Sequence, residues 1–219
     1  MKSPPVTEMT QNSLNTIKFY EAAKHYVVAT GYSREIEWQT GLDINSFTET
    51  DLLREFAWVV LCSGFRESIV RRSFSFISLC FCEWESAEII CKYAQFCRAG
   101  ALARFGNRRK IDAIVEGAAL VEAAGFPNLR QSIIAKPIET LQCFPYIGAI
   151  TAHHLAKNLG LSTAKPDRHL QHLAALFGYE TVLQLCSDVS AATGDSIKVV
   201  DIVLWRFAER HSGVKTIVI

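Results

Sequence analysis

Several absences narrow what this chain can be. Charge of one sign is not in excess: 23 Lys and Arg stand against 22 Asp and Glu, a net charge of +1. Any contact with nucleic acid must therefore come from a local patch. No apolar run approaches the roughly 20 residues that span a bilayer. The most apolar stretch, FAWVVLCSGF, is short and broken by Gly64. The opening MKSPPVTEMTQN is polar, holds two prolines and lacks the apolar core of a signal peptide. It reads as a flexible tail over residues 1–12. The cysteines, at 62, 80, 82, 91, 97, 143 and 186, form no CxxC, and Cys80 and Cys82 have no second close pair to complete a zinc site. No metal is expected, and thiols within apolar helical pattern suit a reducing cytoplasm. No internal repeat or low-complexity segment occurs. Period-two alternation is missing apart from the terminal VKTIVI.

What is present is a globular balance, 49% hydrophobic and 21% charged over 219 residues. That is enough for one large domain or two small ones. Apolar residues recur three and four apart almost throughout, which predicts an all-α chain of about ten short helices. The first runs from Ser13 to a stop at Gly31. Residues 33–45 are mixed, with Trp38 their main apolar residue. Thr48 and Asp51 form a capping-box pattern before a helix that halts near Gly64. A second helix follows from Glu67, and a third covers 86–99. Arg104, Arg108, Arg109 and Lys110 make the densest basic cluster. It is either a solvated helix start or a ligand site; cations at a helix N-terminus oppose the macrodipole, which favours the second slightly. Helices are expected at 168–177, 180–190 and 196–210.

The chain is organised around Leu141–Leu176. Here a short helix opened by Pro137 meets a turn, Phe144-Pro145-Tyr146-Ile147-Gly148, and then a helix to about Leu159. Pro145 fixes one φ, and Gly148 lets backbone approach a ligand. The N–H groups of Gly148, Ala149 and Ile150 are orphans of the next helix and suit a phosphate. An ordinary αα-hairpin would look the same. Downstream, Asp167 in Lys165-Pro166-Asp167-Arg168-His169 stands at the start of an amphipathic helix. It can be an N-cap, a catalytic acid, or both, because a capping Asp is rigid and points out of the helix end.

The hairpin and the acid together resemble the helix-hairpin-helix (HhH-GPD) DNA glycosylase superfamily. Its hairpin reads leucine-proline-glycine-hydrophobic-glycine-x-x-threonine-alanine. Phe144, Pro145, Ile147, Gly148, Thr151 and Ala152 fit, and Tyr146 replaces the first glycine. The family's aspartate, two residues before a histidine, matches Asp167 and His169. The resemblance spans about Leu53 to Leu176 and is most specific at the hairpin and acid.

The resemblance implies a two-lobed helical bundle with the active-site cleft between lobes. One lobe would cover 50–160, with the motif at about 137–159; the other would combine 13–49 with 161–219 and carry the acid. It implies binding of double-stranded DNA by a monomer in the cytoplasm with the DNA and without membrane association. A base would be flipped from the duplex and its N-glycosidic bond cleaved, with Asp167 stabilising the sugar cation and helping to activate water. Gly148, Ala149, Ile150, Thr151, Arg108, Arg109 and Lys110 would hold the DNA backbone. Gly64, Phe65 and Arg66 occupy the duplex-probing loop, although Phe65 can equally be core. Trp38, Trp58 and Tyr146 are candidates for the base pocket, and Lys165 and His169 for support of the acid.

Two departures refine this. Where lyase-active members carry a lysine, this chain has Ile150, which implies a monofunctional hydrolase leaving an abasic site. The last cysteine, Cys186, stands alone, so no iron–sulfur cluster and no other cofactor is expected. The base is not named by the sequence. An alkylated purine, or a bulky modified base of phage DNA in an antiviral setting, would each fit. The alternative is a non-catalytic helix-hairpin-helix DNA-binding protein in which Asp167 only caps.

Overall fold

A computed structural model describes residues 11–211, with side chains from residue 13. Residues 1–10 of the expected tail and the terminal VKTIVI lie outside the described residues, while Gln11 and Asn12 already belong to the first helix. The described chain is all-helical. The helices are α1 (Gln11–Ala29), α2 (Ser33–Gly41), α3 (Glu49–Cys62), α4 (Glu67–Cys80), α5 (Ala87–Lys92), α6 (Ala94–Arg104) and α7 (Arg108–Ala124). There follow α8 (Phe126–Ala135), α9 (Pro137–Leu141), α10 (Ala149–Asn158), α11 (Arg168–Leu176), α12 (Val182–Thr193) and α13 (Ile197–Arg210). That is more than the ten expected. The mixed stretch after Tyr32 is a helix, and its apolar period is obscured because the residue it buries is Gln39. The expected third helix is two, α5 and α6, broken at Tyr93. No described helix is long and apolar enough to cross a membrane.

The chain divides into two compact units, 42–161 and 1–41 with 162–219. In the first, α7 is central and packs on α3, α5, α6 and α8. Its inward face, Ile111, Ile114, Ala118 and Val121, meets Leu52, Phe56, Val59 and Val60 of α3. The expected capping box closes α3: Thr48 Oγ1 accepts the Asp51 N–H at 3.1 Å, and Asp51 Oδ2 accepts the Thr48 N–H at 3.0 Å. Between α4 and α5, Cys82, Glu83 and Trp84 all take positive φ, at 54°, 52° and 65°. Left-handed backbone costs roughly 1–2 kcal/mol per residue. Burial of Trp84, stacked on Phe81 at 5.0 Å and donating to Ser78 Oγ at 2.9 Å, offsets that.

In the second unit α13 is central and packs on α1, α2, α11 and α12. Phe19, Leu170, Leu173, Leu185, Val203 and Leu204 supply the core. The buried Arg206 reaches Glu35 through two hydrogen bonds of 3.0 and 2.7 Å and lies over the Tyr32 ring, tying α13 to the start of α2. The cysteines are free thiols. Burial pushes the Cys91 and Cys97 thiols up to about 12 and about 11. Cys143 is exposed.

Gly117 of α7 faces the Phe56 ring so closely that an added Cβ would stand 2.1 Å from Cε1. Phe56 also packs on Phe144, at 5.1 Å between centroids. Gly117→Ala should therefore displace the ring that supports the hairpin. We expect a loss of about 1–3 kcal/mol in urea unfolding, the usual range for overpacking.

Candidate active site

The hairpin turn is built by three overlapping restraints. The Ile147 N–H donates to the Phe144 carbonyl at 3.2 Å, which makes Phe144–Ile147 a β-turn with Pro145 second and Tyr146 third. Tyr146 has φ +68°. Proline second and positive φ third is the pattern of a type II turn, where glycine is favoured at the third position. Tyr146 thus occupies a conformation that suits glycine, and burial of Phe144 and Ile147 on either side holds it there. Its own side chain is 45% exposed.

At the start of α10 the Gly148 N–H donates to Thr151 Oγ1 at 2.8 Å, and that hydroxyl donates back to the Gly148 carbonyl at 3.1 Å. The Gly148 amide and the Thr151 hydroxyl, both among the expected phosphate donors, are thus hydrogen-bonded to each other. The exposed amides of Ala149 and Ile150 remain, since the first residues of a helix have no intrahelical acceptor. Helix α10 is fixed to α3 by a buried polar link, in which Asn158 Nδ2 donates to Glu55 Oε2 at 2.9 Å. Burial pushes the Glu55 carboxyl above the usual range.

In the other unit, Asp167 is the N-cap of α11. Its Oδ1 accepts the N–H groups of His169 at 3.0 Å and Leu170 at 3.2 Å. Its Oδ2 lies 3.5 Å from Lys165 Nζ. One oxygen is therefore tied to backbone and the other faces an amine, and the Lys165 and Asp167 side chains are 21% and 14% exposed. The approach to this cap is held by Asp201 of α13, whose Oδ2 accepts the Lys165 N–H at 2.6 Å. Asp201 is a supporting residue that the sequence reading missed. The signal was an acid amid Val199, Val200, Val203 and Leu204 on the buried face of α13. His169 contributes its backbone N–H to the cap.

The remaining candidates are distributed as follows. Gly64 has φ +73°, and Phe65 beside it is 40% exposed, with its ring 5.2 Å from that of Phe105. It is neither core nor free. Arg66, Arg108 and Arg109 are exposed. Together with Arg104, the latter two line an open cavity of about 540 Å³ that also contacts Phe65 and Phe105. Lys110 is a correction. It is 2% exposed, so it cannot join its neighbours on a DNA surface. Its Nζ donates to the carbonyls of Val60, of Leu61 at 3.2 Å and of Ser63 at 2.6 Å. Trp58 packs edge-on against Phe74 at 5.0 Å beneath Arg71, and Trp38 is 39% exposed on α2.

No family model and no curated protein matches the chain. Among solved structures, the 8-oxoguanine DNA glycosylase of Thermotoga maritima is similar, with 19% identity and a TM-score of 0.57. The match covers 88% of this chain and 95% of that one. The chain thus shares the helical fold of that protein over most of its length.

Burial pushes the Lys110 amine down to about 8, from an ordinary value of 10.5. A lysine whose folded value is depressed releases its proton in the native state first. Between pH 8 and 10.5 the unfolded chain then holds more protons, so unfolding becomes harder as pH rises. Cysteine ionisation acts in the opposite sense, so the comparison needs a variant. The stability difference between wild type and Lys110→Met should grow from pH 8 to 10 in urea titrations and stay flat below pH 7.

Proposed function

We propose that this protein is a DNA glycosylase that flips a damaged or modified base from duplex DNA and hydrolyses its N-glycosidic bond. The observation that carries the reading is the state of Asp167 on a glycosylase fold: Oδ1 is fixed by two backbone N–H groups, and Oδ2 is turned toward an amine. A carboxylate so held cannot swing away as positive charge develops on the sugar. Preorganised charge of this kind is the largest single term in many enzymes. The free amides of Ala149 and Ile150 would hold a phosphate, and Arg108 and Arg109 a neighbouring stretch of backbone. Phe65 would enter the gap left by the flipped nucleotide, since apolar side chains wedge between base steps at low cost to an already opened stack.

Ile150 offers no amine to the sugar, which supports a monofunctional enzyme with water as nucleophile and an abasic site as product. The substrate would be either an alkylated purine or a bulky modified base of phage DNA. The second of these would place the enzyme in antiviral defence. The capping bonds of Asp167 also favour a second reading, a non-catalytic DNA-binding protein in which the acid serves only α11.

Asparagine caps a helix as well as aspartate, whereas alanine costs about 1 kcal/mol. Asp167→Asn should therefore keep the melting temperature and lose base release by at least about 100-fold. Asp167→Ala should lose both. The assay is mass spectrometry of bases released from normal, alkylated, 8-oxoguanine-containing and heavily modified phage DNA, with alkaline cleavage of the product strand. Full excision by Asp167→Asn would remove the acid from catalysis, and no release from any DNA by wild type would favour the binding protein.

Borohydride added during turnover should trap no covalent complex. An adduct that disappears in Lys165→Ala would instead make Lys165 a lyase nucleophile.

A further inference from the structure

Lys110 lies in a run of cations yet faces inward. An ammonium has three donors, and its three partners, the carbonyls of Val60, Leu61 and Ser63, belong to the last turn of α3 and its cap. Such carbonyls have no intrahelical partner, and a cation at a helix C-terminus is favoured by the macrodipole. A cap alone would need nothing more. Here two aromatic rings also stand against the same nitrogen. Phe65 and Tyr146 each have their ring centroid 5.2 Å from Nζ, within cation–π range.

These rings belong to segments remote in sequence, the loop after α3 and the turn before α10. Both are 40% exposed or more. Both sit at left-handed backbone, Gly64 at φ +73° preceding Phe65 and Tyr146 itself at φ +68°. Each segment closes its own turn, with the Phe65 N–H on the Cys62 carbonyl at 3.1 Å and the Ile147 N–H on the Phe144 carbonyl at 3.2 Å. The ammonium is the group they share.

We infer that Lys110 is a positioning residue whose ammonium fixes the 64–66 loop and the 144–148 turn in one arrangement. Phe65 can then enter a duplex while the amides of Ala149 and Ile150 hold its backbone. The DNA part of this statement rests on the glycosylase reading; the mechanical part does not. Lys110 touches no phosphate in this role, which separates it from Arg108 and Arg109.

The test uses the full chain and the variants Lys110→Met and Lys110→Arg. Amide hydrogen exchange reads the mechanical part without DNA. In Lys110→Met the amides of Phe65 and Ile147 should both lose about tenfold protection, while those of α12 and α13 stay unchanged. Lys110→Arg, which keeps the cation, should restore most of it. Loosening of the 63–66 loop alone would reduce Lys110 to a local helix cap and overturn the coupling.

Binding reads the second part, with a duplex carrying a tetrahydrofuran abasic analogue against the intact duplex of the same sequence. Wild type should prefer the analogue by tenfold or more, and Lys110→Met should fall to within threefold. The salt dependence of binding should not change, because loss of a phosphate contact would lower its slope by nearly one. A lowered slope would return Lys110 to the DNA surface and overturn the proposal. If wild type shows no preference, the glycosylase reading fails while hydrogen exchange still decides the coupling. Should Lys110→Met not fold, Tyr146→Leu asks the same question from the other end. It should loosen the Phe65 amide, and an unchanged Phe65 amide would overturn the coupling.

Discussion

A single buried nitrogen, Lys110 Nζ, meets three carbonyls at the end of α3 and the rings of Phe65 and Tyr146. The last carbonyls of α3 must find donors because they point away from water, and unmet buried carbonyls cost of order 1–3 kcal/mol each. Supplying them from α7 brings a charge beneath the loop that follows α3. The charge then finds ring faces, and the rings come from the two irregular segments nearest to it. Helix packing sets where α7 lies; the ammonium converts that packing into the position of a loop and a turn. The Glu55–Asn158 bond does related work on the far side of the hairpin by fixing α10 to α3.

The acid is held by a separate device in the other unit. Asp201 holds the Lys165 backbone, the chain turns at Pro166, and Asp167 closes the first turn of α11. Each step is a short-range hydrogen bond with little freedom. Capping and chemistry are compatible because they use different oxygens. This is why the ambiguity of Asp167 in the sequence persists in the fold as two simultaneous roles, one visible and one proposed.

The legibility of these features in the sequence varied with how local their causes are. The hairpin, the capping box at Thr48 and the cap at Asp167 depend on residues within a few positions of each other, and each was readable. The all-α class followed from apolar spacing. Helix α2 was missed because its buried residue is a glutamine, which breaks the apolar period. Lys110 was misassigned because its partners lie some fifty residues upstream, and a basic run gives no sign of which member turns inward. Asp201 was overlooked for the same reason, although an acid in a valine-rich helix face was a usable signal. The positive φ of Tyr146 was foreshadowed by the glycine that the family pattern places there.

The distribution of thiol environments has a practical consequence. Most of the described cysteines are buried or half-buried, and burial keeps several of them protonated well beyond neutral pH. Cys143 is exposed and immediately precedes Phe144, at the mouth of the turn. The chain therefore carries its own attachment point for a fluorophore or spin label beside the hairpin. The proposed docking of a duplex there would be followed spectroscopically in the native sequence, without introducing a cysteine.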